Sequence, residues 1–248
     1  MRFKVLTYNI HRAIGVDRRF RPDRIVKVVT HHDPDIVLLQ EVDEGAPRSQ
    51  ELDLAKELAA SCGYDHYAVG HNVNLRRGRY GNATLSRFPI ERERNIDLTI
   101  GRRKRRGCQH TTILAEKRGS NPHRLEIFNL HLGLSAIERS RQIGALVRSR
   151  EFAGLGTDLP VLVGGDFNDW RSLLHPIFTE ILNFDCATQH RYGYNGAIHT
   201  YPSFSPTGGL DRIYYKGPLR IHAARGCRLR VSKVASDHLP VIAEFEIH

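Results

Sequence analysis

The chain has 248 residues, 40% of them hydrophobic, enough for one large domain with a sizeable core. No apolar run approaches the roughly 18 residues of a membrane span, so a helical membrane protein is not expected. Lys and Arg exceed Asp and Glu by 37 to 27, a net charge of +10 that favours polyanionic partners: nucleic acid, anionic lipid or phosphorylated metabolites.

The chain enters a strand pattern at once, with Phe3, Val5 and Thr7 on one face and Asn9 closing it. No signal-peptide pattern is visible. Pro22 opens a helix to about His32 that buries Ile25, Val26 and Val29, and Asp33-Pro34 ends it. The continuous apolar run from Asp35 reads as a central strand finishing in Glu41. A helix from about Glu51 to Cys62 buries Leu52, Ala55, Leu58 and Ala59.

Between Tyr64 and Glu116 the pattern changes to short antiparallel strands, with the basic run Arg102–Arg106 in a loop flanked by glycines. Leu125, Ile127, Asn129 and His131 share one face of the next strand. A helix over 136–152 with Ile137, Ile143, Leu146 and Val147 inside is followed by the strand 161–166. The spacing of Leu173, Leu174, Ile177, Phe178 and Ile181 predicts a further helix near 171–182. Residues 186–209 read as a long loop region, and segments 210–215, 219–231 and 241–247 complete the strands. The four cysteines have no metal-type spacing and read as reduced, mostly buried thiols of a cytoplasmic protein.

Polar groups stand where the apolar runs stop: Asn9, Glu41, His131, Asp166 with Asn168, Asp211, and Asp237-His238. A buried acid without a partner is costly, so six such strand ends are not six unrelated turns. Asp166 and Asn168, two residues apart, would face one cleft if the backbone there is extended, and Gly164-Gly165 would let a substrate approach. The competing reading is a plain turn with Asp169 as helix cap. Oxygen ligands of this kind suit a hard divalent cation, and the imidazoles suit phosphate and proton handling.

The ordered segments Thr7-Tyr-Asn-Ile-His11, Leu39-Gln-Glu-Val42, Asn129-Leu-His-Leu-Gly133, Gly165-Asp-Phe-Asn-Asp169, Leu210-Asp-Arg-Ile213 and Ser236-Asp-His-Leu-Pro240 resemble the endonuclease/exonuclease/phosphatase superfamily, which contains DNase I, over residues 3–246. The resemblance implies a DNase I-like, four-layered α/β/β/α sandwich of two packed mixed sheets with outer helices, formed by residues 1–248 as one domain. It also implies Mg²⁺, with Mn²⁺ able to substitute, held by Glu41 with Asn9 and Asp237. By the same resemblance Asp166 orients or deprotonates water, Asn168 holds a phosphate oxygen, His238 contacts the scissile phosphate with Asp211 fixing its tautomer, and His131 is the second catalytic histidine. The strand ending in His131 lacks the tyrosine-valine-proline-asparagine segment of the exonuclease III-like branch, which argues against abasic-site repair.

Substrate contacts are assigned to Asn82, Arg106 and His11, each with a competing reading as turn or bulge, solvated charge and strand cap. Trp170 reads as core packing. The implied function is hydrolysis of a phosphodiester, in nucleic acid or an anionic phospholipid, by in-line attack of water. The alternative is a monoesterase on an inositol or sugar phosphate. A non-catalytic binding module is disfavoured because every expected ligand is present, and no protein partner is implied.

Overall fold

Phe3, Val5, Ile36 and Leu38 point into one apolar layer with Ile113, Leu125, Ile127, Leu162, Ile213 and Phe245, and this layer glues two sheets face to face. The computed structural model describes residues 1–116, 122–156, 158–189 and 196–248. In chain order the elements are β1 (Arg2–Asn9), α1 (Pro22–His32), β2 (Ile36–Glu44), α2 (Leu54–Cys62), β3 (His66–Asn74), β4 (Arg79–Ser86), β5 (Ile90–Asp97), β6 (Gly107–Ala115) and β7 (His123–His131). They continue with α3 (Ala136–Arg148), α4 (Arg150–Ala153), β8 (Val161–Asp166), β9 (Asp185–Cys186), β10 (Asp211–Lys216), β11 (Leu219–Gly226), α5 (Ser232–Ala235) and β12 (Val241–Ile247).

Among the described residues the first sheet runs β11-β12-β1-β2-β4-β3 and the second β5-β6-β7-β8-β10-β9. Each is mixed, with one parallel pair: β1 with β2, and β7 with β8. A parallel pair needs a crossover, and α1 and α3 supply it on the outer faces. Ile25, Val28, Leu54 and Leu58 cover the back of the first sheet, and Ile143 and Leu146 the back of the second. The α/β/β/α sandwich is therefore built from three apolar layers. No helix of the described residues is long and apolar enough to cross a membrane.

Several sequence expectations need correction. Within α1, Val28 is buried in place of Val26, and α2 starts at Leu54, after Leu52, with Asp53 accepting the Lys56 N–H. The helix expected over 136–152 breaks at Ser149, whose Oγ caps α4 through the Phe152 N–H. Ile137 is 67% exposed because the first turns of α3 bury Glu138, Arg139 and Gln142 instead. The helix expected over 171–182 is only a π-helical turn, Ile177–Ile181. Pro176 removes a donor in its middle, and the Asp169 carboxylate takes the Leu174 N–H. Leu173 and Ile181 consequently face solvent. Trp170 is exposed, edge-on to Tyr201, and not in the core. The strand over 219–231 ends at Gly226, and residues 190–195 of the long loop lie outside the described residues.

The layer between the sheets changes character along the strands. Beyond the apolar floor, Gln40 donates to Asn129 at 2.8 Å and Asn129 donates to the Leu39 and Ala83 carbonyls. Thr84 donates to Gln109. Asn82 gives its amide protons to the carbonyls of Gly107 and Asn129. These amides cross-link the sheets beneath the polar strand ends.

Candidate functional site

Register places His131 opposite Asp166 on the parallel β7/β8 pair and Asp166 opposite Asp211 on the antiparallel β8/β10 pair. Three polar strand ends thus stand side by side on the second sheet. Gly165 makes that possible: at φ +138° a Cβ there would sit 2.0 Å from the Leu130 carbonyl oxygen. From the first sheet, Asn9 donates its side-chain amide to Asp166 Oδ2 at 3.0 Å. Asn9 pairs in register with Gln40, which puts Glu41 one residue further along at the same end of the first sheet.

Asn168 reaches the cleft by a route other than strand alternation. The strand ends at Asp166, and Asn168, at φ +50°, folds back so that its own N–H bonds Asp166 Oδ1 at 2.9 Å. Its side-chain amide donates to the Leu132 carbonyl at 3.0 Å. Asp169 is occupied by the Leu174 N–H and by Arg139 at 3.2 Å, which fixes the loop.

His238 arrives on the Ser236–Pro240 segment. Its Nδ1 lies 2.9 Å from Asp211 Oδ2 and its Nε2 3.8 Å from Asp166 Oδ2. Ser236 Oγ ties this segment to the Asn9 carbonyl at 2.7 Å and accepts the His238 N–H at 3.2 Å. Burial opposes charge on His238, but Asp211, Asp166 and Asp237 outweigh it and lift its pKa to about 10. Burial drives Asp166 up to about 6, with Asp211 adding to the rise and His238 opposing it. The pair is an imidazolium beside a carboxylate poised near neutrality.

His131 behaves differently. Burial, then the Arg106 and His238 charges, press its pKa well below the usual value, so the ring is neutral. Arg106 donates to its Nε2 at 3.0 Å. The 3.4 Å approach of that nitrogen to Asp166 is consequently a contact and not an ion pair. Arg106, assigned to substrate contact with a solvated charge as the competing reading, is only 6% exposed.

Glu41 is not the end of its strand. β2 continues to Glu44 past a register shift between Leu39 and Val42, and Glu41 sits in that bulge at φ +60°. A bulge re-aims one side chain out of the alternation, and a non-glycine residue held at positive φ marks a site that stores strain. Arg12 Nε stands 3.6 Å from Glu41 Oε2. Tyr80 lies near Glu41, and burial followed by the Glu41 charge raises the phenol's pKa. Lys104 lies over the Tyr80 ring at 5.7 Å. Burial and then Arg106 lower the Lys104 pKa, with Glu41 opposing.

The oxygen donors fit a hard divalent cation. Among the described residues, Asp211 Oδ1 is buried with no hydrogen-bond partner, Asp237 is half-buried, and Asn9 Oδ1 accepts only the His11 N–H at 3.1 Å. Asp166, Asp211 and His238 also bring ligand atoms within 4.8 Å of one another. His238 is a poor member of that set, since its Nδ1 is committed to Asp211 and its ring is protonated. The expected set, the Glu41 and Asp237 carboxylates with the Asn9 oxygen, offers oxygens of the kind a hard cation takes. Asn82 is committed to the inter-sheet amide network, and the His11 ring turns to the Ile14 carbonyl at 2.9 Å.

Arg12 and Tyr80 were not singled out from the sequence, and Lys104 entered it only as part of the basic run Arg102–Arg106. Gln142, which accepts the Gly133 N–H at 2.8 Å, and Arg139 were also missed. Their signal is a polar stripe on a helix face that should be apolar.

The endonuclease/exonuclease/phosphatase family description matches residues 6–238. An uncharacterized protein of Escherichia coli (strain K12), YbhP, is 33% identical over 255 residues, covering 99% of this chain and 96% of its own. Among solved structures, an endonuclease/exonuclease/phosphatase from Bacteroides vulgatus matches at TM-score 0.77 and 18% identity, covering all of both chains. The mannosyl-6-phosphatase Bt3783 of Bacteroides thetaiotaomicron VPI-5482 matches at TM-score 0.76 and 21% identity, covering 99% of this chain and 100% of that one. A humanized D. rerio TDP2 matches at 0.74 and 13%, with 99% of each chain covered. At these identities the structural likeness speaks for the fold.

Proposed function

The chain belongs to the endonuclease/exonuclease/phosphatase family, and from that premise we propose that it is a Mg²⁺-dependent phosphodiesterase. The observation that carries the proposal is the convergence on Asp166: Asn9 and Asn168 hold the carboxylate, and His238 stands across from it at 3.8 Å. Near pKa 6, Asp166 is largely ionised at neutral pH yet basic enough to take a proton from water.

Glu41 with Asn9 and Asp237 would hold a divalent cation, which would supply charge neutralisation on the phosphoryl oxygens. Mn²⁺ can substitute for Mg²⁺ in such an oxygen set. The protein's own residues do the rest. Asp166 holds the water, directs its oxygen at phosphorus and accepts its proton as the P–O bond forms. Asp211 binds His238 Nδ1–H, leaving Nε2–H to face the phosphoryl group, where the imidazolium stabilises charge as the ester bond breaks. Arg106, anchored on neutral His131, offers a fixed guanidinium to a phosphoryl oxygen, and Asn168 is placed to orient another.

The net charge of +10 suits a polyanionic substrate, and nucleic acid is the first reading, with an anionic phospholipid headgroup next. The four cysteines are free, which suits a reducing compartment such as the cytoplasm. A panel of plasmid DNA, RNA, phosphatidylglycerol vesicles, inositol phosphates and mannose 6-phosphate, each with Mg²⁺ and with EDTA, tests the proposal. We expect Mg²⁺-dependent turnover of a diester, steeply weakened by added salt if the substrate is a polynucleotide. Turnover of monoesters alone would replace the reading with that of a phosphatase.

A further inference from the structure

Around Glu41 positive charge exceeds negative charge. Arg12 stands 3.6 Å from its carboxylate. Lys104 lies over the Tyr80 ring, and Tyr80 is close enough to Glu41 for the two to interact electrostatically. Arg106 is close enough to act electrostatically on both Tyr80 and Lys104. The nearby acids are already taken: Arg48 grips Asp43 in a two-pronged pair at 2.7 and 2.8 Å, Arg79 and His71 hold Glu44, and Arg103 holds Glu138. Among the described residues, neither Lys104 nor Arg106 has a carboxylate within ion-pair distance.

Among the described residues, two guanidinium nitrogens of this group, Nε of Arg12 and Nε of Arg106, are buried without a hydrogen-bond partner. Arg106 is 6% exposed, and an unsatisfied cationic donor buried to that degree costs free energy unless an anion completes it. Were Glu41 engaged by a cation, as proposed above, Arg12 would lose its one acidic neighbour as well.

We propose that Arg12, Lys104 and Arg106 form a second anion subsite beside the reacting phosphate, which takes a phosphate group attached next to the scissile ester. The inference rests on the phosphodiesterase reading and narrows it to substrates with two neighbouring phosphates. Arg106 marks the boundary between the two positions, because one of its N–H groups reaches His131, whose ring nitrogen is 3.4 Å from Asp166. Such a pair of phosphates occurs in a polynucleotide and in a small bisphosphorylated molecule alike.

The test compares thymidine 5′-(p-nitrophenyl phosphate) with the same ester carrying a 3′-phosphate, and both with a short thymidine oligonucleotide. We expect kcat/KM to be about tenfold or more higher for the 3′-phosphorylated ester, the order of one charge-assisted contact. That ratio should collapse toward one in the Arg12→Ala/Lys104→Ala double variant, with circular dichroism confirming its fold. Faster cleavage of the oligonucleotide than of the bisphosphorylated ester assigns the second phosphate to a polynucleotide, and the reverse assigns it to a small molecule.

A parallel calorimetric titration with thymidine 3′,5′-bisphosphate and thymidine 5′-monophosphate reads the subsite without catalysis. The bisphosphate should bind about tenfold more tightly to the wild type and lose that advantage in the double variant. Equal turnover of the two esters by the wild type, or an advantage that survives in the variant, overturns the subsite and leaves the phosphodiesterase reading standing. If neither ester is cleaved, the calorimetric ratio alone decides the subsite, and it is the phosphodiesterase reading that fails.

Discussion

The cleft has two walls of opposite design. On the second-sheet side, Asp166, Asp211, His131 and His238 are 0–5% exposed, with His238 bonded to Asp211, Asp166 to Asn9 and Asn168, and His131 to Arg106. On the Glu41 side, a carboxylate aimed by a bulge lies among Arg12, Tyr80 and Lys104, with donor atoms left over. A dry wall of this kind can hold a carboxylate near pKa 6 beside an imidazolium near 10, because low dielectric magnifies each contact. On the Glu41 side the atoms left over are cationic donors, which an anion in the proposed subsite would complete.

The most severe way to break the contrast is Asp166→Asn, which keeps the shape of the sealed wall but removes its base. We expect kcat to fall by about 10²–10⁴-fold with little change in melting temperature. A fall of under about threefold would place the base elsewhere. Beneath both walls, Leu38→Ala opens the apolar floor between the sheets and should cost about 2–5 kcal/mol in urea unfolding while the pH–rate profile keeps its shape.

The sealed wall also makes a pH prediction. His238 is raised from the usual 6.5 to about 10, so its pairing with Asp211 contributes stability that is complete below pH 6.5 and is lost as pH rises through 10. The difference in urea midpoint between the metal-free wild type and Asp211→Asn should therefore be large at pH 6 and shrink toward pH 10. A difference independent of pH would mean that His238 is neutral. The smallest effect concerns a position far from either wall: Ile181→Ser should change stability by no more than about 0.5 kcal/mol, because that side chain is 70% exposed. A loss above about 2 kcal/mol would restore the buried helix that the sequence pattern suggests.

The two walls also differ in how readily they are read from the sequence. Asn9, His131, Asp166 and Asp211 were legible because a strand repeats every two residues and each stands where an apolar run stops. Glu41 was legible as a candidate, but its bulge was not, since no residue type in Gln40-Glu41-Val42 announces positive φ. Asn168 joins Asp166 through a turn, so the proximity was right and the extended geometry was not. Arg12 and Lys104 come from loops whose courses depend on tertiary contacts. Pro176, by contrast, was visible within the apparent helix 171–182, and its backbone restriction outweighs the apolar spacing around it.

The central claim is that both walls serve one metal-dependent centre, and the Mg²⁺ dependence of bis(p-nitrophenyl) phosphate hydrolysis by wild type and Glu41→Gln tests it most directly. The account predicts wild-type turnover that EDTA abolishes and Mg²⁺ restores, with the variant needing about tenfold more Mg²⁺ for half-maximal rate. Wild-type turnover indifferent to EDTA, or superimposable Mg²⁺ titrations for the two proteins, would contradict it.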